Sequence, residues 1–349
     1  MAYTDIDKSD DYFNTVLYTG NGSTQSITGV GFQPEWTWIK VRSTTYNHRV
    51  FDVVRGVDTN YYKLFPNLNS AENTIQTNEL TSLDSDGFTL GNSTNVNANG
   101  GSYVSWNWLA GGSPSSNSQG SVTSSVSANT TAGFSIVAWT GTGSVETVGH
   151  GLGSAPEYIA LRRRDSAGSW YAYHKGIDAS APEDYYVQWH TTVAKTNSST
   201  LFNDTSPTPT VFTTGTAIGS SQTFIAYCFR SIKGFSKMSS YVGNGSTDGT
   251  FVYTGFKPAY FMIKRTNTTG NWWIFDNKRD PDNDVTLELG VNLSNIEDGI
   301  GSASLDFLSN GLKLRTTQSD LNASGSTYIY MAFAENPFTT STGIPTTAR

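Results

Sequence analysis

The sequence predicts an all-β chain built of tandem β-sandwich, jelly-roll-like repeats. Three observations predict it. Three blocks of sequence recur at matched spacing. Each block is short, rich in Tyr, Phe, Trp, Ile, Val and Thr, and bounded by turn residues. No long stretch carries a 3.6-residue apolar period with caps at both ends.

The recurrence is direct. "GFQPEWTWIKVR" starts at Gly31, "GSAPEYIALRRR" at Gly153 and "GFKPAYFMIKRT" at Gly255. Pro34, Pro156 and Pro258 coincide, as do Trp36, Tyr158 and Tyr260, and Lys40, Arg162 and Lys264. Seventeen residues after each proline stands an aromatic: Phe51, Tyr173 and Phe275. The third blocks, "SYVSWNWLAGG", "TFIAYCFRSIK" and "TYIYMAFAENP", end on Trp108, Phe229 and Phe333, which lie 74, 73 and 75 residues after their prolines. The chain therefore divides into an N-terminal arm (1–11), repeat 1 (12–112), a Ser/Gly/Asn-rich linker with little to bury (113–132), repeat 2 (133–232), repeat 3 (233–336) and a tail (337–349).

Each element has a local reason. Proline lacks the ladder donor, so the three prolines should sit just before a strand. The strands that follow are apolar on both faces. In "EWTWIKV", Trp36 and Trp38 point one way and Thr37, Ile39 and Val41 the other. The second face needs a neighbour, either another repeat or another subunit. A closed homo-oligomer is expected on that ground. "YTGNGST", "WTGTGS" and "YVGNGST" place Gly22, Gly143 and Gly245 in tight turns of hairpin type. A phosphate loop would need a Lys and a following helix, which are missing. "LDSDGF" and "LSNGLKL" read as hairpin turns and not as calcium loops, since Ser93 stands where a calcium loop needs Glu.

Composition narrows function. Charged residues are 15% of 349, the net charge is −7 and no basic block stands out. That argues against a nucleic-acid partner, which needs a Lys/Arg patch. The single Cys228 excludes an internal disulfide and a Cys-based zinc site. The start, "MAYTDIDKSDDYF", has neither the basic nor the apolar stretch of a signal peptide, and no apolar run is long enough to span a membrane. His48, His150, His174 and His190 form no HxH or HExxH pair. No nucleophile elbow occurs, so no catalytic residue, metal or cofactor is expected. The acidic loop "RDPDNDV" (279–285) leaves a calcium site open beside a solvated loop.

Candidate binding residues lie where the repeats differ. The loops around Tyr46, around Trp170 and Tyr171, and around Trp272 and Trp273 are equivalent in position but not in sequence. Exposed aromatic rings there would stack on a saccharide. Neighbouring Trp272 and Trp273 point to opposite faces, so one could lie outside the core.

"YFNTVLYTGNGSTQSITGVGFQPEWTWIKVRS", "SLDSDGFTLG", "SANTTAGFSIVAWTGTGSVETVGHGLG" and "AFAENPFTTSTGIPTTAR" together resemble a family of marine, cyanophage-like bacteriophage virion proteins. The resemblance covers nearly the whole chain and implies a non-enzymatic virion component, such as a tail fibre used in host attachment. It implies assembly in the host cytoplasm with other virion proteins as partners, and, by likeness to fibres, a trimer; the loop aromatics add a host surface glycan as a further partner. It carries no catalytic motif. A capsid decoration protein and a carbohydrate-binding module are the alternatives.

Overall fold

The computed structural model describes residues 3–56, 62–72, 78–297 and 304–346. It is all-β, with 42% strand and 4% helix. The first unit holds β1 (Phe13–Thr19), β2 (Gln25–Thr28), β3 (Trp36–Val41), β4 (Arg49–Asp52), β5 (Leu80–Asp84), β6 (Gly87–Leu90) and β7 (Ser102–Trp108). The second holds β8 (Ser115–Asn117), β9 (Ser124–Asn129), β10 (Phe134–Thr140), β11 (Glu146–Gly149), β12 (Tyr158–Arg163), β13 (Trp170–His174), β14 (Tyr185–Gln188), β15 (Thr196–Asn197), β16 (Val211–Thr214) and β17 (Thr223–Phe229). The third holds β18 (Ser236–Val242), β19 (Phe251–Tyr253), β20 (Phe256–Arg265), β21 (Trp272–Asp276), β22 (Leu289–Gly290), β23 (Leu305–Leu308), β24 (Gly311–Leu314) and β25 (Thr327–Pro337).

One strand order recurs. The large sheets contain β1-β7-β3-β4, β10-β17-β12-β13 and β18-β25-β20-β21, so within each set of four the earliest and latest strands pair and the proline-led strand lies beyond them. A smaller sheet packs on each: β2-β6-β5, β11-β16 and β19-β24-β23. Between the two sheets of the first unit lie Ile39, Phe51, Phe88 and Tyr103. Val137, Ile159, Tyr173 and Phe212 fill the second unit, and Phe261, Ile263, Phe275 and Leu312 the third. Phe51, Tyr173 and Phe275 are all buried in these cores.

The opposite faces of the large sheets meet each other. Trp36, Trp38, Trp106 and Trp108 of the first unit, Tyr158, Tyr227 and Phe229 of the second, and Tyr260, Met331 and Phe333 of the third form one central cluster. Trp36 stacks on Tyr227 at 4.6 Å, and Phe13 stacks on Phe333 at 4.9 Å. Every unit thus contributes to two cores. The second apolar face of the proline-led strands is covered by units of the same chain, so it supplies no reason of its own for a partner subunit.

Three details depart from the sequence reading. Segment 113–132 is no bare linker: β8 and β9 extend the large sheet of the second unit, with β9 paired to β10. Pro34 and Pro156 precede their strands, but Pro258 lies inside β20, where a shift of register on both sides lets the ladder pass a residue without an N–H. The "GNGS" loops are not hairpins, because β1 and β2 belong to different sheets. They are corners, each held by a buried asparagine. Asn97 accepts from the Asn21 N–H at its side chain (2.9 Å) and from the Gly22 N–H at its carbonyl (2.9 Å), and its amide donates to the Gly91 carbonyl (2.8 Å). Asn322 does the same for Asn244 (3.0 Å), Gly245 (2.8 Å) and the Thr316 carbonyl (2.8 Å). Gly22 and Gly245 have φ of 72° and 70°. The "DG" and "NG" stretches of β5–β6 and β23–β24 are two-residue hairpins, pairing Asp84 with Gly87 and Leu308 with Gly311. Of the tail, residues 347–349 lie outside the described residues, as do residues 1–2 of the arm.

Candidate functional site: the seams between the units

The chemistry-bearing side chains concentrate where units meet. Counted from the proline, equivalent positions do equivalent work at each of the three seams, and the order is cyclic: first on second, second on third, third on first.

Fourteen residues after the proline stand His48, Trp170 and Trp272. Each ring N–H reaches a backbone carbonyl of the preceding unit. Trp170 Nε1 donates to Phe65 O and Trp272 Nε1 to Gln188 O, both at 2.8 Å. His48 Nε2 pairs with Gly290 O at 2.9 Å. Its Nδ1 accepts from Trp38 Nε1 at 2.9 Å, which leaves the ring proton on Nε2. Burial, then the nearby Lys40, drives the His48 pKa well below its ordinary value, so the ring stays neutral.

Four residues further stand Asp52, His174 and Asp276. Tyr227 Oη of the second unit donates to Asp52 Oδ2 at 2.7 Å, and Trp106 Nε1 of the first to Asp276 Oδ2 at 3.0 Å. The third member of the donor series is Met331, which has no N–H or O–H to give. Its seam carries His174 instead of an aspartate, and His174 Nε2 bonds the Tyr330 carbonyl at 3.0 Å. The loss of a donor and the loss of a carboxylate coincide, so no buried charge is left alone.

A strap from each unit crosses onto the next. Backbone bonds tie Glu72 N to Arg164 O (2.8 Å), Lys195 N to Thr266 O (2.8 Å) and Glu297 N to Arg42 O (2.9 Å). Two straps carry a relay of buried charge. Arg55 pairs with Asp52 and with Glu72 (3.3 Å), and Glu72 pairs with Arg164 (2.9 Å). Arg279 pairs with Asp276 and with Glu297 (3.0 Å), and Glu297 pairs with Arg42 (2.7 Å). At the seam without the aspartate the signs are exchanged: Lys195 on the strap meets Asp178 at 2.6 Å. Breaking the fully buried Arg55–Asp52 or Arg279–Asp276 pair strands the remaining charge at a cost of about 3–5 kcal/mol.

Lys40, Arg162 and Lys264 lie beneath the straps. They donate to Ser294 O (3.4 Å), Ser70 O and Thr192 O (3.2 Å) respectively. Burial lowers their pKa values, to about 7, about 10 and about 8.

The candidate surface aromatics therefore divide. Trp170 and Trp272 are fully buried rivets of the seams, and Trp273 is buried in the third unit's own core with its Nε1 on Asp320 (3.2 Å). These three are corrected from surface to interior: both faces of β21 are covered, one by the partner sheet and one by the neighbouring units. Tyr171 is half-buried edge-on against Tyr186, and Tyr46 is exposed. The structure does not gather these five residues into one patch.

Other expectations resolve locally. Asp280 accepts from the Thr286 N–H (2.7 Å) and Leu287 N–H (3.2 Å), and Asp284 accepts from Ser304 (2.7 Å), so two acids of the 279–285 loop are turned onto the chain. Among the described residues no three His, Cys, Asp or Glu side chains converge as metal ligands. No described helix is long and apolar enough to cross a membrane. Cys228 is buried and its thiol pKa is pushed up by burial.

Sequence reasoning missed Asn97, Asn322, Glu72 and Glu297. The first two carried a signal, "NANGGSY" against "NASGSTY" at the same distance before β7 and β25. The two glutamates lie in segments too divergent to align.

Comparison with curated proteins gives no match. A family model, that of the domain of unknown function DUF7483, matches residues 8–337, from just before β1 to the end of β25. The match takes in all three units and every seam, and the chain belongs to the DUF7483 family.

Proposed function

We propose that this chain is a non-enzymatic structural component of a phage virion, an appendage such as a tail fibre that serves host attachment. It would be a tandem of three jelly-roll-like sandwiches, assembled in the host cytoplasm beside other virion proteins. The resemblance in "YTGNGST…GFQP" and the C-terminal "AFAENPFTTSTGIPTTAR" supports the virion part. The observation that carries the structural part is the closed cycle of seams, in which buried ion pairs and ring N–H groups are engaged between units. Side chains used this way rigidify a scaffold. A capsid decoration role is the second reading. It is favoured by the approximate threefold arrangement within one chain, which suits a threefold position on a shell. A homotrimer would have to use surfaces other than the proline-led strands.

Immunogold electron microscopy of the virion, with an antibody raised to this chain, tests the proposal. Label on the tail is the expected outcome. Label on the head would transfer the reading to decoration, and unlabelled particles would overturn both.

A further inference from the structure

The three seams are not equally closed. The groove that runs beside each is bordered by the residue after the proline, the residue nineteen after it, and the start of the next unit's first strand. Between the third and first units it is lined by Ala259, Asn277 and Phe13–Thr15 and measures about 190 Å³. Between the first and second units Glu35 turns inward onto Ala110 N (2.6 Å), and β9 covers the edge of β10. Between the second and third units no strand among the described residues covers β18, and the groove opens to a cleft of about 790 Å³. The N-terminal arm and the C-terminal tail form its rim, with Asp5 N bonded to Lys233 O at 3.1 Å and Ser341 N to Asp7 at 2.6 Å.

Exposed aromatic rings gather there. Of the five exposed Phe and Tyr among the described residues, Tyr3, Tyr253 and Phe338 line this cleft, at 63%, 58% and 42% exposure. Its charged lining groups are mostly cationic, with Lys175, Lys233 and Lys237 set against the single Glu157. That carboxylate is engaged, with Oε1 on Lys175 (3.1 Å) and Oε2 on Ser231 N–H (3.0 Å). Burial opposes its charge, but the bonds from Ser231 and Lys175 outweigh burial and hold it below its ordinary value. Lys237 Nζ lies 4.9 Å from the Tyr253 ring centre and bonds Tyr253 O (2.8 Å), which fixes lysine and ring together.

We propose that this cleft binds a saccharide carrying a carboxylate or sulfate. Aromatic faces cover the C–H face of a pyranose, and the lysines meet the acid group. A net positive cleft on a chain of net charge −7 is a local reversal that selects an anion. The proposal gives the attachment reading a contact surface and rests on that reading for its biological sense.

The test is made on the purified full chain, so failure of binding is separate from absence of the chain in virions. Calorimetry and saturation-transfer NMR are run with an alginate tetrasaccharide as the carboxylated probe, a sulfated carrageenan tetrasaccharide and neutral maltotetraose. Both acidic probes, or one of them, should bind, and binding should weaken with salt. Tyr253→Ala and Lys237→Ala should each weaken binding about tenfold with melting temperature unchanged, while Phe251→Ala, an exposed ring outside the cleft, should leave it intact. Maltotetraose bound as tightly as the acidic probes would overturn the charge selection. Binding that survives both cleft substitutions, or no binding of any probe, would overturn the site.

Discussion

At the scale of single residues, Glu35 is one group that responds to pH in the neutral range. Burial raises its carboxyl from an ordinary value of 4.5 to about 7, with the Ala110 N–H pulling the other way. A raised carboxyl pKa means that the folded chain holds the proton more tightly than the unfolded chain. Its contribution is therefore fully present below pH 4.5 and is lost as pH rises through about 7. Lys40 and Lys264 work in the opposite sense, because burial depresses them to about 7 and about 8. Their contribution is present above pH 10.5 and is lost as pH falls through those values. A comparison of parent and Glu35→Gln isolates the carboxyl. The variant should gain on the parent as pH goes from 5 to 8 and should melt higher at pH 8 by calorimetry. Parallel melting curves across that range would show that Glu35 keeps its charge at no cost.

At the scale of elements, the corner between β1 and β2 makes a prediction that a simple Asn-Gly turn would not. Gly22 has a left-handed φ of 72°, but a Cβ there would meet Asn99 only at 3.2 Å. Gly20 has an ordinary φ, yet its Cβ would stand 2.2 Å from the Ala98 carbonyl oxygen. Left-handed backbone costs a non-glycine residue about 1–2 kcal/mol, whereas a backbone overlap of that size forces the asparagine latch apart. Gly20→Ala should thus destabilise the chain more than Gly22→Ala in urea titrations, and Gly243→Ala more than Gly245→Ala. The reverse order would mean that the loop is only a turn. Local chemistry explains which parts of the fold were legible. Proline, strand and closing aromatic recur because each sandwich needs them, and Phe51, Tyr173 and Phe275 are buried as that pattern implied. The same alternation could not say what covered the second face of each strand. That depends on the placement of three sheets, which short-range periodicity does not encode. The repeat pattern therefore singles out Trp170 and Trp272 for a sound reason, their equivalence and aromatic rings, but does not show that they are buried. The alignment already held the correction: His48, Trp170 and Trp272 share a ring N–H at one position, and a recurrent donor implies a recurrent acceptor.

At the scale of the molecule, the units are coupled through the central cluster. Residues 234–337 expressed alone would expose Tyr260, Met262, Trp272, Ile274, Met331 and Phe333, all buried in the complete chain. An apolar face of that extent rarely stays in water. Such a fragment should self-associate or precipitate, and sedimentation velocity should find no stable monomer at micromolar concentration. A well-behaved monomeric fragment would show that its own sandwich core suffices and that the central cluster contributes little.

Joining the three units in one chain has a further consequence for how such a body can change. In a ring of identical subunits every substitution appears three times, so a useful change on one side must be tolerable on all. Here the three positions are written separately in the gene. His174 could replace an aspartate opposite Met331, Lys195 and Asp178 could exchange signs, and one groove could widen while its counterparts stayed narrow. Each change needed to suit one neighbour only. One chain can in this way keep a threefold frame while a single flank departs from it.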